Sequence, residues 1–158
     1  MSKAVQHLQG ITTQDEYGTP RWLYDMMQLK AGFTPLLDTC SNIFNPKCTK
    51  FYTINDNALS KPWDVDFFMN PPYSKVRQFV KYGYEQHLKH NVNGLVLTYA
   101  KTDTKWFHGQ VYEKAEIHFI EGRLRFMDYH GNPTPHPAPY PSMWFVWRKK
   151  PDLEAFSS

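Results

Sequence analysis

The sequence has no apolar stretch approaching the roughly 18 residues that span a bilayer, so no membrane-spanning helix is expected. The first residues, Met1 to His7, contain no apolar signal core, and we therefore expect a cytoplasmic rather than a secreted protein. Cysteine is scarce, since Cys40 and Cys48 are the only two among 158 residues. Without secretion, a disulfide framework is not expected. The two cysteines also lack the close spacing of zinc modules, so we expect no metal site.

A strong excess of charge of one sign is also missing, because 18 basic and 15 acidic residues give a net charge of +3. This charge permits a polyanionic partner without requiring one. The hydrophobic share of 41% and the charged share of 21% are typical of a globular protein. The length fits one domain. We expect a flexible polar arm over residues 1–16, one domain over residues 17–150 and a frayed tail over residues 151–158.

Helical and strand-like patterns alternate along the domain. Thr19 and Pro20 give a helix-start signal, a capping hydroxyl followed by a residue with fixed φ, and apolar residues continue at helical spacing to Leu29. Two more helices are expected after Ser74 and after Thr104. Strands are expected at residues 33–38, 50–54, 64–69, 94–100, 115–120, 123–126 and 142–148. This order predicts an α/β sheet that is mostly parallel and ends in an antiparallel hairpin.

The segment Asn70-Pro71-Pro72-Tyr73 directly follows one of the expected strands. Two consecutive prolines prevent the strand from continuing, and ligands of open α/β sheets bind just beyond such strand ends. The Asn70 amide oxygen and the Pro71 carbonyl are two acceptors, which suit an exocyclic amino group. Tyr73 offers a flat face on which a planar base can stack. The segment therefore predicts a site for an amino-bearing base.

Asn-Pro-Pro-Tyr after a hydrophobic strand resembles the signature of amino-group methyltransferases that use S-adenosylmethionine (SAM). Further segments occur in the order seen in the small phage-type DNA N6-adenine methyltransferases, distant relatives of the Dam group. These segments are Thr19-Pro20, Leu37-Asp38, residues 56–60 before Trp63, residues 102–104 before Trp106, residues 122–126 and Pro141-Ser142. The resemblance covers residues 14–148. It implies a Rossmann-like sheet with helices on both faces, SAM as cofactor and DNA as partner, in a bacterial cell carrying a phage or prophage.

The resemblance also implies roles for individual residues. Asn70 and Pro71 would accept hydrogen bonds from the target adenine N6, with Pro72 as the second rigid residue, and Tyr73 would stack on the flipped base. The cofactor-binding residues it implies are Tyr17, Thr19, Pro20, Asp38, Thr39, Asp56 and Asn70. By their residue types alone, Asp38 and Asp56 also fit turn-capping roles. The glycines that often follow the first strand in such enzymes are absent after Asp38.

DNA contacts are expected from residues around the motif and from later segments of the chain. The candidates are Tyr73, Ser74, Lys101, Thr102, Asp103, Arg123 and Arg125. Arg123 and Arg125 share one face of an expected strand, where they either contact phosphates or are simply solvated. Thr102 and Asp103 either line the site or cap the next helix. The chain has no room for a large recognition domain, so we expect short or relaxed specificity, read by residues 41–50 and 128–141.

Two alternative functions stay open at this point. The same geometry would serve cytosine N4 or an adenine in RNA. A non-catalytic nucleic-acid-binding module could keep the fold without the chemistry.

Overall fold

The computed structural model describes residues 17–152. The expected arm over residues 1–16 and residues 153–158 of the expected tail lie outside the described residues. None of the helices in the described part of the chain is long and apolar enough to cross a membrane.

Six strands form one sheet. In chain order they are β1 (Leu37–Asp38), β2 (Lys50–Phe51), β3 (Phe67–Met69), β4 (Gly94–Tyr99), β5 (Glu116–Phe119) and β6 (Ser142–Trp147). Their order across the sheet is β2-β1-β3-β4-β6-β5. The pairs β2–β1, β1–β3 and β3–β4 are parallel, whereas β6 is antiparallel to both β4 and β5. The expected α/β sheet, mostly parallel with antiparallel pairs, is therefore confirmed.

Within residues 17–152, two α-helices cover opposite faces of this sheet. Helix α1 is Arg21–Ala31 and helix α2 is Val76–His90. Helix α1 packs Leu23 and Met27 into a core with Leu95, whereas α2 packs Val76 and Val80 into a separate core. This second core contains Leu37, Phe67, Val96, Phe145 and Trp147. Successive strand residues point to opposite faces, so the continuous apolar runs of β4 and β6 supply both cores.

Short helical turns complete the connections. Three are 3₁₀ turns, at Ile54–Asp56, Ala58–Ser60 and Tyr73–Lys75, and one is a π-helical turn at Phe107–Val111. The hydroxyl of Thr104 accepts a hydrogen bond from the Phe107 backbone N–H at 3.3 Å, so the helix expected after Thr104 is confirmed in its position. Helix α2 begins at Val76, after the Tyr73–Lys75 turn.

One expected strand is wrong. Residues 123–126 form no strand, although Leu124 and Phe126 are buried as their alternation predicts. The Leu124 carbonyl accepts a hydrogen bond from the Ala138 backbone N–H, and the Phe126 carbonyl accepts from the backbone N–H and the hydroxyl of Thr134, all in the following loop. Proline has no N–H to donate, and prolines alternate through residues 133–139, so no regular ladder forms. Besides β4, the antiparallel neighbour of β6 is β5, and residues 120–141 connect β5 to β6.

Candidate active site

The carboxyl ends of β1 and β3 lie side by side because these strands are parallel neighbours, with Asp38 paired to Phe68. Thr39 follows β1 and its hydroxyl donates to the Phe68 carbonyl at 3.1 Å. Asn70 follows β3, after Met69. The topology therefore brings Asp38, Thr39 and Asn70 to the same edge of the sheet, as ligand-binding residues of such sheets are placed.

The orientation of the Asn70 side chain is fixed by its neighbours. Its Nδ2 donates to the Tyr17 carbonyl at 2.5 Å and to Thr19 Oγ1 at 3.0 Å. A carbonyl can only accept, so the amide nitrogen must face Tyr17 and the oxygen must point elsewhere. Within residues 17–152, the hydrogen bonds of this side chain all use Nδ2. Asn70 Oδ1 is the atom left to accept a hydrogen bond from a ligand.

Thr19 is a partner of Asn70 rather than a helix cap. The residue that precedes α1 is Pro20, and no side chain caps this helix. Thr19 is 4% exposed, and its hydroxyl oxygen accepts a hydrogen bond from the Asn70 amide. The helix boundary expected from Thr19-Pro20 is confirmed, but the capping role expected for the hydroxyl is wrong, because the hydroxyl faces β3 instead of the first turn.

The Asp38 carboxylate holds the loop that follows β1. Asp38 is 2% exposed. Its Oδ2 accepts from the Lys47 backbone N–H at 2.9 Å and its Oδ1 from the Cys40 backbone N–H at 3.4 Å. Burial raises the pKa of Asp38, and the two backbone N–H groups oppose this shift by stabilising the anion. The carboxylate thus closes residues 39–47 into a compact wall.

A cavity of about 360 Å³ opens at this edge. Tyr17, Thr19, Asp38, Thr39 and Asn70 are polar residues of its lining, and further polar lining residues come from residues 41–47, 53–57 and 128–129 and from Lys75. The apolar lining residues are Ile43, Ile54, Ala58, Leu59, Phe68 and Phe79. Pockets for small molecules have this mixed character and a volume of about 300–1,000 Å³.

The Tyr73 ring lies in a cluster of aromatic rings beside the cavity. Its centroid is 4.7 Å from that of Tyr17, 4.9 Å from that of Tyr99 and 6.2 Å from that of Tyr140. Burial raises the pKa of the Tyr73 phenol well above its ordinary value, so the hydroxyl stays protonated at any physiological pH. Tyr73 therefore offers an aromatic surface rather than an acid or base.

Comparison with known proteins identifies the family of the chain. A model of the family described as DNA N-6-adenine-methyltransferase (Dam) matches residues 9–158. The chain belongs to the Dam family.

Two phage relatives carry the same description, DNA N-6-adenine-methyltransferase. The protein of Haemophilus phage HP1 (strain HP1c1) is 32% identical over 117 residues, which are 73% of this chain and 68% of the relative. The protein of Escherichia phage T1 is 34% identical over 113 residues, which are 70% of this chain and 47% of the relative. The match with the T1 protein thus spans about half of that protein.

The residues expected at a Dam-family site fall into two groups. Those that line the cavity are Tyr17, Thr19, Asp38, Thr39, Asn70 and Pro72. Those outside its lining are Pro20, Asp56, Pro71, Tyr73, Ser74, Lys101, Thr102, Asp103, Arg123 and Arg125. Pro20 and Pro71 are buried behind the wall. The first group consists of residues at or just after the ends of β1 and β3, together with Tyr17 and Thr19, which accept hydrogen bonds from Asn70.

Asp56 turns its carboxylate toward its own turn. Asp56 Oδ2 accepts from the Thr53 backbone N–H at 2.7 Å and from the Thr53 hydroxyl at 3.0 Å. These hydrogen bonds lower the pKa of Asp56. Its neighbours Ile54, Asn55 and Asn57 line the cavity. The expected acidic position therefore shapes the wall, while the residues beside it face the space.

Of the candidate DNA contacts, Lys101 lies against the aromatic cluster. Lys101 Nζ lies 4.2 Å from the Tyr140 ring centroid. Thr102 and Asp103 are exposed in the turn before the π-helical segment. Arg123 donates to the Pro139 carbonyl at 2.5 Å and Arg125 donates to the Thr134 carbonyl at 2.8 Å. Both arginines are exposed, and each holds the 134–139 loop with one guanidinium nitrogen.

Several lining residues carry no sequence signal of a Dam-family site. Asn42, Asn45 and Lys47 come from the loop after β1, and Asp128 and Tyr129 from the loop before β6. These loops meet, since the Phe44 ring centroid is 5.1 Å from those of Tyr129 and His130. Both loops were expected to read bases, and both also form the cavity wall. Among the described residues, no group of three or more His, Cys, Asp or Glu could hold a metal ion.

Proposed function

We propose that the protein transfers a methyl group from SAM to the N6 amine of adenine in DNA, acting on a base flipped out of the helix. The observation that carries this proposal is the fixed direction of the Asn70 amide at the cavity edge. Its nitrogen is committed to Tyr17 and Thr19, so its oxygen is available for the adenine amine. Membership of the Dam family supports this substrate class over cytosine or RNA.

The cavity fits SAM in size and in the chemistry of its walls. Its volume of about 360 Å³ lies within the range of small-molecule sites. Tyr17, Thr19, Asp38, Thr39 and Asn70 offer polar atoms for the amino-acid half of the cofactor. A lining of Ile54, Leu59 and Phe79 suits a planar base. Binding at the carboxyl ends of β1 and β3 is what a Rossmann-like methyltransferase sheet requires.

Asn70 and Pro71 serve the reaction by positioning and by electrostatics. SAM supplies an activated methyl group on a sulfonium sulfur. The Asn70 amide oxygen and the Pro71 carbonyl accept the two N–H hydrogens of adenine N6, which orients the nitrogen lone pair away from the ring. Such positioning removes about 7–11 kcal/mol of barrier in favourable cases. The same two oxygens would stabilise the positive charge that develops on N6 as the methyl–sulfur bond of SAM breaks, and N6 would then release one of its two protons to solvent, leaving S-adenosylhomocysteine as the second product.

The target base would be held by the aromatic cluster and the groups around it. Tyr73 stacks on the flipped adenine, and Pro72 fixes the direction of the chain that carries this ring. We assign Ser74, Lys101, Thr102, Asp103, Arg123 and Arg125 to the DNA surface around it. Residues 17–150 form the methyltransferase domain in this proposal. Residues 41–50 and 128–141 read a short or relaxed recognition sequence.

Nucleoside mass spectrometry tests the reaction. Purified protein is incubated with SAM and either DNA or RNA, and N6-methyladenine is expected in the DNA alone. Asn70→Ala removes the acceptor and should lower the rate by roughly 10²–10³, as the loss of one transition-state hydrogen bond does in other enzymes. The matched control is Gln78→Ala, which removes an exposed amide from α2 and should leave the rate unchanged.

Each outcome bears on a different part of the proposal. N4-methylcytosine in DNA, or methylated adenine in RNA, would contradict the proposed substrate. If no methylated nucleoside is found, whether or not the protein binds SAM, the result would favour a non-catalytic nucleic-acid-binding module. An Asn70→Ala variant with the wild-type rate would contradict the assignment of the acceptor.

A further inference from the structure

Lys47 is a half-buried cation in the wall of the cavity that no motif predicts. Its Nζ donates a long hydrogen bond of 3.4 Å to the carbonyl of Asn45, another lining residue. Among residues 17–152 it forms no salt bridge. A charged group that is partly removed from water is stabilised by a partner of opposite charge. The ammonium is therefore short of an anion.

The acidic groups near Lys47 are already engaged. Asp38 uses its two carboxylate oxygens to accept the backbone N–H groups of Lys47 and Cys40. Asp25 forms a salt bridge with Arg21, with an Oδ1–Nε distance of 3.2 Å. Burial lowers the pKa of Lys47, which means that Asp38 does not fully offset the cost of desolvating the ammonium. An anion entering the cavity would supply what the protein lacks here.

We propose that Lys47 binds the carboxylate of the amino-acid half of SAM. This inference rests on the proposed function, because it takes SAM as the occupant of the cavity. SAM bears one carboxylate and one ammonium. The cavity is lined by two basic residues, Lys47 and Lys75, of which Lys47 is the less exposed and lies beside Asp38. Lys47 and Asp38 together match a zwitterionic amino acid, with Lys47 for the carboxylate and the remaining lone pairs of the Asp38 oxygens for the ammonium.

The backbone of Lys47 adds to its suitability. Its N–H is tied to Asp38 at 2.9 Å, and Asp38 is held at the end of β1. The lysine is therefore anchored at the strand end rather than at the tip of a free loop. A cation on an anchored backbone loses less conformational freedom when it pairs with a ligand.

Isothermal titration calorimetry with two ligands tests this role. S-adenosylhomocysteine keeps the amino-acid half, whereas 5′-methylthioadenosine keeps the nucleoside and thioether but lacks the carboxylate and ammonium. Lys47→Met removes the charge and keeps the length of the side chain. It should lower the affinity for S-adenosylhomocysteine roughly ten- to hundredfold, as the loss of a charged hydrogen bond does. Its affinity for 5′-methylthioadenosine should not change. The control is Lys81→Met, an exposed lysine of α2 outside the cavity lining, which should alter neither affinity.

The comparison of ligands separates the possible failures. Unchanged binding of S-adenosylhomocysteine by Lys47→Met would overturn the proposal, and weakened DNA binding in that variant would assign the lysine to a phosphate instead. An equal loss of affinity for both ligands would contradict the proposal and would show that Lys47 only supports the loop after β1. Lys47→Arg, which keeps the charge, should restore S-adenosylhomocysteine binding at least in part. A wild-type protein that binds neither ligand would instead contradict the proposed function itself.

Discussion

At the scale of single residues, the direction of Asn70 is decided by what its neighbours can accept. The Tyr17 carbonyl has no hydrogen to donate, so it selects the amide nitrogen. Thr19 Oγ1 takes the second amide hydrogen at 3.0 Å. A side chain held at two points presents its oxygen in one direction, which is the preorganisation that catalysis by positioning requires.

Replacing Thr19 by Val tests this preorganisation. Valine has the same shape and no hydroxyl, so Asn70 keeps the Tyr17 bond and loses the other. A neutral hydrogen bond contributes about 0.5–1.5 kcal/mol, and we expect the single-turnover methylation rate to fall by up to roughly tenfold. Quench-flow measurement with saturating SAM and DNA gives this rate. Thr34→Val, at an exposed position before β1, is the control, and a Thr19→Val rate equal to that of the control would contradict the positioning role.

The sequence predicts strand-end residues of this site better than loop residues. Asn70 and Asp38 follow apolar runs, and the carboxyl end of a strand is where ligands bind, so their place in the structure could be expected. Lys47 and Asn45 lie in a loop whose path depends on the hydrogen bond from the Lys47 backbone N–H to Asp38 and on the contact between the Phe44 and Tyr129 rings. No periodicity encodes such a path, and a lysine between a proline and a cysteine gives no sign of its partners.

At the scale of elements, close contact between β3, β4 and β6 depends on a missing side chain. Gly94 begins β4 and pairs with Phe67 on one side and Trp147 on the other. A Cβ at this position would lie 2.8 Å from Phe67 Cζ and 2.9 Å from Trp147 Cε3. Both rings are fully buried, so neither can move aside without disturbing the core.

Gly94→Ala should therefore destabilise the protein by about 1–3 kcal/mol, the usual cost of overpacking a core. Urea unfolding followed by tryptophan fluorescence measures the change in unfolding free energy. Gly109→Ala is the matched control, since a Cβ there would meet nothing within 4 Å. This control should be neutral or slightly stabilising. Equal stability of the two variants would mean that the core yields around Gly94 without cost.

Helices and strands whose apolar residues recur at regular spacing could be predicted from the sequence. A segment that becomes a strand only if a neighbouring backbone pairs with it could not. The helix expected from residue 21 is α1, ended by Gly32 at φ 81°, a conformation that glycine adopts without strain. Residues 123–126 alternate as a strand does, but their neighbour is a loop with prolines at every second position. The alternation of apolar and polar residues indicates which side chains are buried. It does not indicate whether the neighbouring backbone has N–H groups to donate hydrogen bonds.

At the scale of the whole molecule, the order of the sheet was the least predictable feature. Six consecutive buried residues in β6 indicate a strand covered on both faces. They do not say that β6 inserts between β4 and β5, with Leu95 opposite Val146. This insertion sends the preceding loop back across the sheet edge, where Tyr129 meets Phe44 of the loop after β1. Long-range contact between these two loops encloses the cavity.

The stability of the whole fold should depend on pH through His87 at the end of α2. His87 is buried, and its Nδ1 lies 2.7 Å from the Val92 carbonyl. Since a carbonyl only accepts, Nδ1 carries the hydrogen. Burial lowers the pKa of His87, although the Val92 hydrogen bond opposes the shift. The unfolded chain then binds a proton more readily than the folded one. The free energy of unfolding is therefore unaffected by His87 above about pH 6.5 and decreases as the pH falls below this value.

His87→Asn keeps a donor near the Nδ1 position and cannot titrate. We expect its unfolding free energy to fall less steeply than that of the wild type between about pH 7 and the folded-state pKa of His87. Urea unfolding at a series of pH values measures both slopes. His136→Asn, at an exposed loop position, should keep the wild-type slope. Parallel slopes for His87→Asn and the wild type would mean that this imidazole is equally easy to protonate in the folded and unfolded chains, and that the end of α2 tolerates its charge.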